Sequence, residues 1–260
     1  MLLNHLFQKK YPHLDWIQVE VSSYCNASCI YCPHTAYKQN WRNRYLSMEA
    51  FTNLVSAFRT TKLVYLQGWG EPFTHPQFFE MVRLAKKAGC MVGTTSNGTL
   101  LNRDIIARLI NEGIDIIGFS LAGVDEENDS IRKGTRIKKV LECIEEIHNA
   151  KHKYASGTPA IHIAYMMLRS GLDALERLPG FLRRTGADQT VVSSLSFSHR
   201  ICWRFANPSM NARRYPRDQP RATRSVFGMA HRLATVASAV VLRCFGVTHL
   251  TVNLVYDLVD

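Results

Sequence analysis

Apolar and polar positions alternate with two different periods along this chain, and the two periods take turns. Between Trp16 and Ser22 the apolar residues Ile17, Val19 and Val21 recur at every second position, the pattern of a strand with one face buried. Met48 to Arg59 carries a helical pattern, with Ser47 placed to cap it and Glu49 in its first turn. Leu63–Gln67 reads as a second strand. A helix opening at Pro76 runs to Lys87 and stops at Gly89, and Cys90–Thr95 is the third strand. Asn102 can cap a helix over 103–111 that Gly113 closes, ahead of a fourth strand over Ile114–Leu121.

The clearest helical period lies between Arg136 and Ala150, where Ile137, Val140, Leu141, Ile144 and Ile147 share one face. Ala160–Met167 reads as a fifth strand, Leu172 to Arg184 as a helix disturbed by Pro179, and Gln189–Val192 as a sixth strand. Strands alternating with helices enforce a parallel sheet, because each crossover must return the chain to the same end. The expected fold is α/β, a partial (β/α)6 barrel of the TIM type, open at one side and followed by an irregular C-terminal tail. Three regions are expected: a lead-in over 1–15, the core domain over 16–197, and a divergent tail over 198–260.

Composition changes this picture only at the C-terminal end. With 260 residues and 46% hydrophobic content the chain can bury a large core. The net charge is +11, and more than half of it sits after Phe197, where nine Arg and no Lys or Glu face only Asp218, Asp257 and Asp260. Arg200 to Arg224 has no strand or helix period. An arm that neutralises phosphates is one account of this stretch, but it has no base-stacking pattern or reading motif. We favour a degenerate or frame-shifted end. The first ten residues lack the charged-then-apolar order of a secretory signal, and the apolar run from Leu233 to Leu242 falls short of the ~20 residues that span a bilayer. A cytoplasmic protein with reduced cysteines and no membrane span is expected.

The candidate chemistry lies just past the first strand. Cys25, Cys29 and Cys32 sit in one loop with CxxxCxxC spacing, so three thiolates can converge on one metal centre and leave one position open. The C-terminal ends of strands are where β/α folds build active sites. Past the second strand comes Gly68-Trp69-Gly70-Glu71-Pro72, two glycines that let a ligand approach the backbone and a carboxylate at the same rim. The cysteines alone leave open a zinc site completed by His34; the glycine–glutamate–proline loop weighs against it, since zinc has no need of such a loop. Cys90, Cys143, Cys202 and Cys244 have no pairing spacing and read as small buried hydrophobes.

These motifs resemble the radical S-adenosylmethionine (SAM) enzymes, whose hallmarks are CxxxCxxC after the first barrel strand and a Gly-Gly-Glu-Pro motif after the second. The resemblance runs from about Trp16 to Val192 and continues through Thr95-Ser96-Asn97-Gly98 and Phe119-Ser120-Leu121-Ala122-Gly123. Trp69 departs from it, standing where the family has the first glycine. The resemblance implies a [4Fe–4S] cluster on Cys25, Cys29 and Cys32, with SAM bound to the open iron and cleaved reductively to a 5′-deoxyadenosyl radical. It further implies Glu71 on the SAM amino group, Tyr31 near the adenine, the Gly68 and Gly70 loop along the cofactor, Ser96, Asn97 and Ser120 on ribose and methionine, and Arg132 on the carboxylate. Asn97-Gly98 as a plain turn and Arg132 as a surface arginine remain alternatives.

Relatives with this second motif often carry a C-terminal extension, called SPASM, that holds further clusters on seven or more cysteines. Only Cys202 and Cys244 lie in the tail, too few for that. The implied function is hydrogen abstraction from a peptide, protein or small precursor, with an electron donor such as a flavodoxin or ferredoxin as partner. Two alternatives stand beside it: an RNA-modifying enzyme of the same family, nucleic acid being the less favoured partner, and a truncated, non-catalytic cluster-binding protein.

Overall fold

A computed structural model describes residues 14–168 and 172–194. The sheet is built as the periods predict. Six strands lie side by side, all parallel and in chain order: β1 (Leu14–Val19), β3 (Thr61–Leu66), β4 (Met91–Ser96), β5 (Ile116–Leu121), β7 (Ala160–Met167) and β8 (Gln189–Ser194). A sequential parallel order with β1 and β8 unpaired to each other is an open half-barrel.

The crossovers are α2 (Met48–Phe58), α3 (Phe78–Lys87), α4 (Arg103–Asn111), α6 (Ile137–Lys153) and α7 (Leu172–Thr185). Ser47 and Asn102 cap α2 and α4 as expected, their side-chain oxygens accepting from the N–H of Ala50 and Ile105. α3 begins two residues later than Pro76 suggests, because Pro72–Thr74 forms a short 3₁₀ turn first and His75 Nδ1 accepts from the N–H of Gln77. α7 runs on through Pro179 to Thr185.

The hydrophobic core lies between the sheet's outer face and these helices. Val19, Val64, Leu66, Val92, Ile117, Phe119, Ile161, Ile163 and Tyr165 pack there against Phe51, Phe58, Phe78, Met81, Leu109, Val140 and Ile144. Cys90 and Cys143 are buried in the same core, as their scattered spacing suggests. The opposite face of the sheet mixes polar and small residues such as Gln18, Gly93, Thr95 and Gly118 with Trp16, Leu63, Tyr65 and Ile116.

Four elements were not visible as periods. Ser28–Cys29 (β2) pairs antiparallel with Arg132–Lys133 (β6), a two-residue ladder that ties the cysteine loop to the segment that follows β5. α1 (Pro33–Ala36) directly follows Cys32, and α5 (Glu126–Ile131) leads into β6. The first strand also ends at Val19, earlier than alternation to Ser22 implies; Ser22 instead bridges Tyr45. Residues 1–13 and the arginine-rich tail, with Cys202, Cys244 and the run from Leu233 to Leu242, lie outside the described residues. Among the described residues no helix is long and apolar enough to cross a membrane.

Candidate active site

The cysteine loop leaves β1 at the C-terminal edge of the sheet. Cys25 and Cys32 are half-buried and Cys29 is buried. Cys29 stands opposite Arg132 in the β2–β6 ladder, and the N–H of Ile30 donates to the carbonyl of Ile131 at 3.0 Å. The Cys25 thiol is pushed up to about 11, chiefly by burial, with Glu71, Cys29 and Cys32 adding to the effect and the N–H of Ala27 opposing it. Burial likewise raises Cys32 against N–H donors from His34 and Thr35. The sulfurs of Cys25 and Cys32 thus face backbone donors and lie near enough to the other cysteines to feel their charge. His34 packs edge-on against the ring of Trp41. Among the described residues no three His, Cys, Asp or Glu side chains surround a point that suits a single ion.

Glu71 was expected at the rim, yet it is only 2% exposed. Its Oε1 accepts from the Ser96 hydroxyl and its Oε2 from the N–H of Asn97, both at 2.7 Å. Burial lifts this carboxyl from 4.5 to about 7 against those donors, the N–H of Phe73 and the charge of Arg132. The two glycines of this loop also serve the protein. A Cβ on Gly70 would lie 2.3 Å from the carbonyl oxygen of Ser22 and 2.4 Å from that of Tyr24, and one on Gly68 would strike the Glu20 side chain at 2.2 Å. What comes close to their backbone here is therefore the lead-in to the cysteine loop and the end of β1. Trp69 between them is half exposed, and its N–H donates to Glu20 Oε1 at 2.7 Å.

The third motif joins the same cluster. Asn97 Nδ2 donates to Asn26 Oδ1 at 2.9 Å, Asn26 Nδ2 donates to the Thr99 hydroxyl at 2.6 Å, and Thr99 donates back to Asn97 Oδ1 through both its N–H and its hydroxyl. The cysteine loop is thereby laced to the end of β4. Ser120 sits apart on β5, half-buried and on the sheet's inner face. Neither Asn26 nor Glu20 was identified from sequence; both are polar residues beside a motif, and only the fold turns them toward it.

Arg132 is no surface arginine. It is 7% exposed, and one guanidinium nitrogen donates to the Tyr31 hydroxyl while its Nε is buried without a hydrogen-bond partner among the described residues. A buried unpaired donor is costly unless a further group satisfies it. Its charge also lowers the affinity of Tyr31, Cys32 and Glu71 for protons. Three cysteines in one loop, two of them facing backbone N–H donors, beside an arginine that has a donor to spare, fit an iron–sulfur cluster and an anionic ligand bound next to it.

The inner face of the sheet opens from this cluster. Residues paired across the strands share a face, which sets Gln18, Tyr65, Gly93 and Ile116 in one row and Thr95, Gly118 and His162 in the next. The Tyr65 ring packs against Gly93, where a Cβ would come within 2.5 Å of it, and its hydroxyl accepts from Thr95 Oγ1 at 3.2 Å. Gln67 Nε2 donates to Gln18 Oε1 at 3.0 Å. On this inner face, the Tyr65 trough, a tyrosine stands among glycines and polar side chains, with Ile116 in the same row. Strand alternation predicts which residues share a face, but not that two glycines make room for this ring.

Comparison with known proteins agrees with the geometry. The family model described as "Radical SAM superfamily" matches residues 19–169, from the end of β1 past the end of β7. The tungsten-containing aldehyde ferredoxin oxidoreductase cofactor-modifying protein of Pyrococcus furiosus is 29% identical over 195 residues, covering 70% of this chain and 52% of that protein. A GTP 3′,8-cyclase of Chlorobaculum tepidum is 27% identical over 198 residues, covering 74% and 57%. The chain thus spans about half the length of the curated relatives it matches. Among solved structures, Streptococcus suis SuiB bound to S-adenosylmethionine shares the fold with a TM-score of 0.57 at 14% identity, over 70% of this chain and 41% of that one. Its complex with the precursor peptide SuiA gives 0.58 at 15%, over 70% and 40%. A half-barrel with three cysteines at the edge of its first strand, matched over more than half its length by the family's own pattern, places this chain in the radical SAM superfamily of enzymes, whose cofactors are a [4Fe–4S] cluster and SAM.

Proposed function

We propose that this enzyme cleaves SAM reductively at a cluster held by Cys25, Cys29 and Cys32 and abstracts a hydrogen atom from a peptide, a protein side chain or a small precursor laid in the Tyr65 trough. When bound, the cluster and SAM together supply the reducing electron and the 5′-deoxyadenosyl radical; the protein supplies placement and exclusion of water. The observation that carries this reading is Arg132, fixed by backbone pairing to Cys29 and by side chain to Tyr31, with its Nε left over. A buried guanidinium of that kind suits the SAM carboxylate, which would satisfy it.

Glu71 then has two duties. It braces Ser96 and Asn97, and its oxygens keep lone pairs for the SAM amino group. Tyr31, held by Arg132, would lie beside the adenine. Ser96, Asn97 and Ser120 would line the ribose and methionine, with the backbone of Gly68 and Gly70 alongside. The substrate class follows the range seen in relatives and neighbours, whose names include a cofactor-modifying protein and a structure with a precursor peptide. An electron donor is required, since each reductive cleavage consumes one electron.

Anaerobic reconstitution with iron and sulfide, reduction with dithionite and an assay for 5′-deoxyadenosine test the proposal. Wild type should form the nucleoside and Cys29→Ala should not. A loaded cluster with no cleavage would mark a non-catalytic barrel, and a colourless protein holding zinc would overturn the reading of the cysteines.

A further inference from the structure

Between Glu20 and Glu49 the chain has no acidic residue, while Lys38, Arg42 and Arg44 are all exposed. This stretch contains the cysteine loop itself. Among the described residues none of the ion pairs involves these three cations, so no described carboxylate sits within ion-pair distance of them.

Their position is fixed. The loop that carries them folds back along the lead-in to Cys25: the N–H of Ser23 donates to the carbonyl of Arg44 at 2.9 Å, and the Ser23 hydroxyl donates to the carbonyls of Arg42 and Arg44 while accepting from the N–H of Arg44 at 2.7 Å. Trp41 Nε1 donates to the carbonyl of Ser23 at 2.9 Å, and the Trp41 ring meets His34, two residues beyond Cys32. Tyr45 bridges to Ser22 and packs its ring 4.5 Å from that of Tyr24, the residue before Cys25. Both tyrosines keep a large exposed surface, 37% for Tyr24 and 42% for Tyr45. A tethered basic loop without an ion pair among the described residues, carrying two exposed aromatic rings, therefore stands directly beside the cysteines, two of which are only half-buried.

We infer that this surface, Lys38, Arg42 and Arg44 around Tyr24 and Tyr45, is the docking site of a small acidic electron-carrier protein. The inference rests on the cluster proposed above and names the partner that reduces it. Electron transfer falls steeply with distance, so the donor must sit where little protein covers the cysteines. Cations there attract an acidic partner, speed its encounter and turn it to the right face. The step moves one electron: the donor is oxidised by one unit, the net charge of the cluster falls by one, and no bond or proton is exchanged. An RNA backbone would feel the same charges, but the placement beside the cysteines favours the electron carrier.

The test uses the reconstituted holoenzyme and a strongly acidic flavodoxin as probe. Flavodoxin binding is measured by titration calorimetry at rising salt, and bleaching of the cluster absorbance is followed after mixing with reduced flavodoxin. Binding and reduction should weaken as salt rises, and Lys38→Glu/Arg42→Glu/Arg44→Glu should lose ~10-fold or more in both at low salt, the matching Gln variant falling between. The end point with excess dithionite should be the same in all three proteins, which separates lost docking from lost folding. Equal, salt-independent rates in wild type and triple variant, with the cluster fully loaded, would overturn the docking site and leave the cluster reading intact. Loss of binding to an RNA oligonucleotide without loss of flavodoxin reduction would reassign the surface to nucleic acid. A wild-type protein that takes up no cluster would sink both readings together.

Discussion

Arg132 and Cys29 face each other across a ladder only two residues long, so the one buried arginine of the site is positioned by the backbone of a cysteine that the motif reserves for the cluster. Holding a cation there through main-chain pairing leaves its guanidinium to reach Tyr31, with the Nε unpartnered among the described residues.

Removing that cation should separate its two roles. Tyr31→Phe deletes one hydrogen bond and should cost ~1 kcal/mol of stability. Arg132→Gln should weaken SAM binding to the reconstituted protein by ~10-fold or more, about 1.4 kcal/mol, with iron content unchanged. Equilibrium dialysis with labelled SAM, alongside iron analysis, checks this; unchanged affinity would remove Arg132 from the cofactor site.

Glu71 should leave a mark on the pH dependence of the apoprotein. Burial raises its carboxyl from 4.5 to about 7. Between those values the folded chain holds a proton that the unfolded chain has released, so stability falls as pH rises from about 4.5 to about 7 and is level above. The shift corresponds to ~3 kcal/mol. Urea unfolding across that interval should show the slope in wild type and lose it in Glu71→Gln; equal slopes would place its source elsewhere.

The glycines of the second loop should rank by what their missing side chains avoid. Gly70→Ala drives a methyl into the backbone of Ser22–Tyr24, which cannot swing away, so a loss of ~3 kcal/mol and poor iron loading are expected. Gly68→Ala meets only the Glu20 side chain and should cost less. Gly157→Ala, with nothing within 4 Å, should change stability by under ~0.5 kcal/mol. Thermal melts of the three variants decide the order.

The Asn26–Asn97–Thr99 triangle should act as a unit. In a double-mutant cycle, Asn26→Ala and Asn97→Ala should show a coupling of ~1 kcal/mol, and either change should speed hydrogen exchange in the cysteine loop. Additive effects would mean that the triangle only decorates the surface.

Much of the barrel was legible because its strands and helices bury one face each, and burial writes a period into the sequence. Ile17 and Val19, or Val140, Ile144 and Ile147, announce their elements without help from the rest of the chain. The three cysteines and Glu71 were legible as spacing around turns. What escaped was contact between segments with no period of their own. Two residues at Ser28 cannot signal that they will pair with Arg132, and nothing at Ser23 predicts that Arg44 folds back upon it. The burial of Glu71 was missed for the same reason: its donors, Ser96 and Asn97, arrive from another strand.

Gly70 has one more implication. Because the second loop rides on the bare backbone of the first at that point, the two loops form a single mechanical part. An engineer grafting the cysteine loop from one member of this family into another would have to transplant the glycine loop with it, or inherit a seam that no longer closes.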